Sequence, residues 1–236
     1  MQVDDRIVHV VPKSVEELLR ILRDRRSVPD LRIYFNIDSP DDPLEYTGAR
    51  FDTFDGGGSR DGVSDTITPS DLLAVACLDV TVPTSVGLDL VEGPLGRALG
   101  KHLQEIPTNV ALGEAGASTY VKDYSHASEA WWLLREEAGV GWVIAGKVLA
   151  RKRPQLVPVW DNVVKCAFGR PRDAWVWLDG RLQDRRLRDE LDQLHKAAQL
   201  PELVSRLRVL DVVMWMRHRR GHLRAACPGL EAPPAE

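Results

Sequence analysis

Cysteine is scarce in this chain. Only Cys77, Cys166 and Cys227 occur in 236 residues, and no two form a CxxC pair. An odd, scattered count excludes a four-cysteine zinc or iron–sulfur centre within the chain and suits reduced thiols in a cytoplasmic protein. Long apolar runs are also missing. The stretch 72–78 is among the longest, far short of the ~20 residues a membrane-spanning helix needs, so no membrane association is expected. The opening MQVDDRIVHVV carries acids and no apolar segment ending in a small-residue cleavage site, so no secretory signal is expected. Six histidines show no HExxH or similar spacing, and His218 and His222, although four apart, stand in an arginine-rich helix end. No metal and no cofactor is expected from them. Gly56-Gly57-Gly58 lacks the Lys-Ser/Thr of a phosphate-cradling loop and reads as a flexible connector. There is no internal repeat.

What is present is an ordinary globular composition with a lopsided charge. Hydrophobic residues make up 44% and charged residues 28%, a balance that allows a sizeable core and excludes intrinsic disorder. The net charge of −4 is an average over unlike parts. Residues 1–141 carry a net −11, residues 142–224 a net +9 and the remaining tail −2. Such asymmetry points to an anionic partner for the basic half, or to a basic lobe docked on an acidic one.

Local signals describe a mostly helical chain. Residues 6–11 read as a short strand, followed by a helix that Ser14 and Glu17 open as a capping box. Residues 31–35 alternate like a strand, and 46–51 read as a strand or bend. Thr68-Pro69 supplies an N-cap with proline at the first helical position. Further helices are expected over 95–106, 125–137, 143–153, 162–168, 181–198 and 203–219, with a frayed Pro-rich end. Trp131, Trp132 and Trp215 are expected in the core, and the basic run 217–220 as a solvated helix end.

One stretch carries chemistry. Glu137-Ala-Gly139-Val140-Gly141-Trp142-Val143 reads as a helix, a tight turn and the start of a second helix. Glycines at 139 and 141 permit unusual φ and close approach, while Ala145 lets the second helix pack tightly. The backbone N–H groups left at the new helix start suit a phosphate. Beyond that helix comes Pro154-Gln-Leu-Val-Pro-Val-Trp160-Asp161, where the aspartate opens another helix. An aspartate there is a preferred cap worth about 1 kcal/mol and needs no catalytic role to explain it, although the two roles are compatible.

The spacing from Gly139 to Asp161, with Thr68-Pro69-Ser-Asp71-Leu-Leu upstream, resembles the helix-hairpin-helix DNA glycosylase superfamily in its endonuclease III-like branch. The whole chain, with Tyr46-Thr-Gly-Ala-Arg-Phe51, also resembles an uncharacterised actinobacterial family. The glycosylase resemblance covers about residues 68–220. It implies a mainly α, two-lobed helical body, to which residues 1–67 add a small mixed α/β extension, with 226–236 as a tail. It places Asp161 on the catalytic aspartate, which stabilises the oxocarbenium-like sugar as the base leaves. Val143 falls where bifunctional members carry the Schiff-base lysine, so a monofunctional, hydrolytic mechanism is implied. Gly139, Gly141, Trp142 and Val143 match the phosphate-binding hairpin, and Lys147, Arg151, Lys152 and Arg153 are candidate contacts to a DNA backbone. Trp160 beside Asp161, with Tyr34 and Tyr46 as a lid or wall, would supply faces for a flipped base. The sequence departs from the family pattern at Asp79-Val80-Thr81, where the family has a Gln-rich segment, and at Asn162-Val163 after the aspartate. The expected function is therefore a monofunctional DNA N-glycosylase. The alternatives are an inactive DNA- or protein-binding relative and an N-glycosidase of a small nucleoside-like ligand.

Overall fold

A computed structural model of the chain describes residues 11–222. Among these residues the secondary structure is entirely helical. One hydrophobic core runs from Leu18 to Met214. The strand expected over 6–11 lies outside the described residues except for Val11, as does the tail 226–236.

The first helix, α1 (Val15–Leu22), starts with the Ser14/Glu17 capping box and buries Leu18, Leu19 and Leu22. The expected strand over 31–35 is instead part of α2 (Ser27–Tyr34). Its buried residues are Ser27, Leu31 and Tyr34, at helical spacing, while Ile33 faces solvent. The apparent alternation came from Ile33, an exposed apolar residue of the kind every surface carries. Residues Thr47–Arg50 form a 3-10 turn rather than a strand. Gly48 sits there because a Cβ would lie 2.1 Å from the Tyr34 hydroxyl oxygen.

The body follows as α3 (Pro69–Ala76), α4 (Thr84–Glu92), α5 (Pro94–Gln104), α6 (Ser118–Val121), α7 (His126–Arg135) and α8 (Trp142–Lys152). It continues through α9 (Asn162–Ala167), α10 (Ala174–Leu182), α11 (Arg185–Ala197) and α12 (Arg206–His222). Caps mark the starts: Thr68 and Asp71 form a reciprocal box on α3, and Ser125, Asp161, Asp173 and Asp184 each accept an early helix N–H. The helix expected over 181–198 is interrupted, because Asp184 caps a new start and leaves α10 as a separate element. Helix α8 packs on α7 and α3, and α12 packs on α9, α11 and α2. The N-terminal helices thus lie against the C-terminal ones and share their core.

A buried ionic knot at the end of α8 joins the two parts. Arg151, Lys152 and Arg153 are all nearly inaccessible. Arg151 donates to the carbonyls of Phe51, Asp52 and Phe54 and pairs with Asp71 at 3.0 Å. Lys152 pairs with the other Asp71 oxygen at 2.9 Å, and Arg153 donates to the carbonyls of Ile106, Leu103 and Ser64 and to Asp65. The triple glycine is part of this packing rather than a loose connector. A Cβ on Gly58 would lie 2.4 Å from the Arg151 carbonyl oxygen.

Candidate functional site

The turn between α7 and α8 is built as the glycines require. Gly139 has φ +81°, in the left-handed region, and its amide neighbour Val140 donates back to the Glu137 carbonyl at 3.0 Å. Gly141 is the N-cap of α8 and offers no side-chain cap, so the first N–H groups of that helix have no side-chain acceptor from the cap.

Two cavities flank this helix start. The larger, about 680 Å³, is lined by Val143 and Lys147 of α8, by Asp161, Asn162 and Val163 at the start of α9, and by Asp211 and Trp215 of α12. Its outer wall is the N-terminal segment. Tyr34 and Tyr46 stack with centroids 5.2 Å apart, and Trp215 stands edge-on to both at 5.9 and 5.8 Å. Leu78, Asp79 and Val80 complete the rim, and Thr47 Oγ1 ties the N-terminal segment to the Cys77 carbonyl at 2.8 Å. Candidates 34, 46, 143, 147 and 161, scattered through the sequence, therefore meet in one place.

Asp161 has two roles available. Its backbone is extended (φ −129°, ψ −176°), and Oδ1 accepts the Val164 N–H at 2.9 Å. The cap occupies one carboxylate oxygen while the side chain borders the cavity. Opposite lies a buried charge cluster that sequence reading missed. Arg208 bridges Asp52 (3.1 Å) and Asp211, and also donates to the Tyr34 hydroxyl at 2.7 Å and the Gly48 carbonyl at 2.9 Å. Burial pushes the Asp211 carboxyl up to about 7; Arg208 opposes the shift and the Asp161 charge adds to it. Burial likewise raises the Tyr34 hydroxyl to about 12. Lys147 donates from Nζ to the Leu78 carbonyl at 2.8 Å. Burial holds its ammonium below the ordinary lysine value, and Asp161 and Asp211 draw it back up. The i, i+4 spacing of Arg208 and Val212, and of Asp211 and Trp215, on one helix was the only local signal for this wall.

The smaller cavity, about 420 Å³, lies on the other side of the hairpin. Trp131, Trp132, Trp142, Trp160 and Trp175 line it, with Arg135, Lys165 and Arg172 among them. Trp132 is 53% exposed, and Trp131 is only partly buried, so neither is the core residue the sequence suggested. Arg135 lies over Trp131 at 4.9 Å and Lys165 over Trp142 at 5.7 Å. Trp160 belongs here, stacked on Phe168 at 5.0 Å, and not with Asp161 in the larger cavity. Extended backbone at Asp161 sends neighbouring side chains to opposite sides.

Two further expectations change. Arg151, Lys152 and Arg153 are committed to internal carbonyls and carboxylates, and none is placed to meet a DNA backbone. The basic run at the end of α12 is not simply solvated: Arg219 packs over Tyr46 and Trp215 at 4.8 and 4.9 Å, and Arg217 reaches Asp24 at 3.2 Å.

A family model described as a family of unknown function, DUF6308, matches residues 27–218. The chain belongs to this family. The matched span crosses residue 67 and takes in Tyr34, Tyr46, the hairpin, Asp161 and Asp211, so the N-terminal wall of the cavity and the helical body fall within one family match. No curated protein and no solved structure matches the chain. Among the described residues no helix is long and apolar enough to cross a membrane.

Proposed function

We propose that this chain hydrolyses a base–sugar bond, with a nucleoside-type group seated in the cavity and Asp161 as the catalytic carboxylate. The observation that carries the reading is the meeting of Asp161 with a wall of stacked tyrosines in one 680 Å³ space beside the start of α8. Tyr34, Tyr46 and Trp215 give the cavity an aromatic wall for a base to lie against. The Asp161 carboxylate then stabilises the positive charge that develops on the sugar as the bond to the base breaks, and aligns the attacking water. Asp211, with its proton held up to about 7, supplies a proton to the leaving base. Val143 has no amine, and Lys147 is bound to the Leu78 carbonyl, so the route is hydrolysis without an imine.

Glu45, Asp79, Asp161 and Asp211 all border the cavity, and its two cations, Lys147 and Arg208, are buried in internal contacts. That wall favours a small nucleoside over a polyanion. A second reading, a monofunctional DNA N-glycosylase acting on duplex DNA with a damaged or modified base, is favoured by the uncapped start of α8 and the neighbouring tryptophan groove with its three cations.

The test incubates purified chain with free nucleosides and with duplexes carrying uracil, alkylated or oxidised bases, and measures released base chromatographically. Release should fall at least ~100-fold in Asp161→Asn, and borohydride should trap no covalent adduct. Release from nucleosides alone selects the first reading, and release from duplexes the second. No release from either, with no DNA binding at low salt, sinks both. Binding that survives Asp161→Asn without any release marks a binding module.

A further inference from the structure

We infer that Cys166, His218 and His222 form a site for a zinc-class transition metal that clamps α9 to α12. Their candidate ligand atoms all lie within 4.8 Å of one another. Among the described residues this is the one group of histidine, cysteine and carboxylate side chains with that geometry. One thiolate and two imidazoles make a donor set suited to zinc, which takes sulfur and nitrogen together in a tetrahedron. A tetrahedral zinc with Zn–S about 2.3 Å and Zn–N about 2.0 Å holds such atoms roughly 3.3–3.6 Å apart, so side-chain rotations of about an ångström close the site.

One observation besides proximity supports it. The Nδ1 of His222 is buried and has no hydrogen-bond partner among the described residues, an unfavourable state for a polar atom that coordination of a metal by Nδ1 would relieve. The placement also has a structural consequence. On α12 the residues Asp211, Trp215, His218 and His222 follow at spacings of four, three and four, along one helix face. The first two line the Asp161 cavity and the last two belong to the metal group. On α9, Asp161 caps the start and Cys166 lies near the end. A metal there would brace the two helices that hold Asp161 and Asp211. Three protein ligands leave a fourth position for water or another small ligand.

The probe is Co²⁺ alone, added to the untagged, metal-stripped chain. The expected result is a one-to-one complex with thiolate charge-transfer absorption in the near ultraviolet and visible bands of tetrahedral intensity, displaced by Zn²⁺. Cys166→Ser should abolish the charge-transfer band. His218→Ala and His222→Ala should each weaken binding at least about tenfold, the loss that follows even from removing an outer-shell partner. Cys77→Ser, altering a thiol on the rim of the Asp161 cavity, should leave the spectrum unchanged. In the unaltered chain Zn²⁺ should also slow alkylation of Cys166, read by peptide mass spectrometry, which requires no variant to fold. Absence of the charge-transfer band, its survival in Cys166→Ser, or alkylation of Cys166 that is indifferent to Zn²⁺ would overturn the assignment.

Discussion

Both ends of α8 carry groups expected to meet DNA, hairpin N–H groups at one and cations at the other, and they do opposite things. At its start, Gly139-Val140-Gly141 leaves helix N–H groups without a side-chain cap between two open cavities. At its end, three consecutive cations are turned inward, where they satisfy the carbonyls and carboxylates of residues 51–71 and of α5. A positive charge in the sequence says nothing about which of these it does. The distinction rests on whether acceptors are already present within reach, because a buried cation persists only when paired and hydrogen-bonded. Here the acidic N-terminal segment supplies them. Part of the charge asymmetry between the halves is met inside the molecule, as Arg151–Asp71, Lys152–Asp71, Arg153–Asp65 and Arg208–Asp52.

The contrast can be broken most severely at the buried end. Arg151→Met should destabilise the chain by about 3–5 kcal/mol, because Asp71 and three carbonyls lose a shared donor in a dry site. Denaturant unfolding monitored by far-ultraviolet circular dichroism measures this, and a loss below 1 kcal/mol would show that the knot is not a structural pin. At the open end, Gly139→Ala should cost about 1–3 kcal/mol, since φ is +81° and the new Cβ would lie 2.9 Å from the Pro83 ring. An unchanged melting temperature would contradict that geometry.

Asp211 sharpens the comparison through pH. Its carboxyl is held near 7 in the folded chain against 3.8 for the ordinary group, so between these values unfolding releases its proton. The resulting stabilisation is complete below the lower value and is lost as pH rises through the upper one, with a slope of at most ~1.4 kcal/mol per pH unit. Asp211→Asn should remove that component. The stability difference, wild type minus variant, should shrink from pH 5 to pH 8, and a difference that grows would reverse the sign of the argument.

Smaller effects on stability separate the fold from the ligand. Gly141→Asp places an acceptor at the uncapped start of α8, where no neighbour lies within 4 Å of a new Cβ. It should stabilise by up to about 1 kcal/mol while repelling any phosphate from the hairpin. Titration with a 5′-phosphorylated and an unphosphorylated nucleoside distinguishes the two: equal losses would place the hairpin outside the phosphate path. Asp161→Asn should change stability least, by less than ~1 kcal/mol, because an asparagine also caps α9. A large loss there, seen by the same denaturant titration, would show that the Asp161 charge itself, and not only its cap hydrogen bond, holds the start of α9.

Much of the local structure was legible from residues. The capping box at Ser14, the N-cap at Thr68, the proline at the start of α3 and the aspartate at the start of α9 act within four residues, so sequence alone places them. The miss at 31–35 has a local cause, since alternation over five residues cannot distinguish a strand from a short helix with an exposed Ile33. The candidate cavity was only half legible. Asp161, Lys147, Tyr34 and Tyr46 were nominated, whereas Asp211, Arg208 and Trp215 were not, because their part depends on α12 lying against α9 and α2.

By itself, then, the sequence determined the helical character of the chain, its caps and turns, and the glycine that its hairpin needs, all of them short-range consequences of backbone sterics and local hydrogen bonds. Tertiary packing decided the rest. It turned Arg151, Lys152 and Arg153 from solvent to core, divided Trp160 from Asp161 into separate cavities, and brought Cys166 to His218 and His222. Each of these depends on which distant surface comes within a few ångströms, and burial and pairing act only over that range.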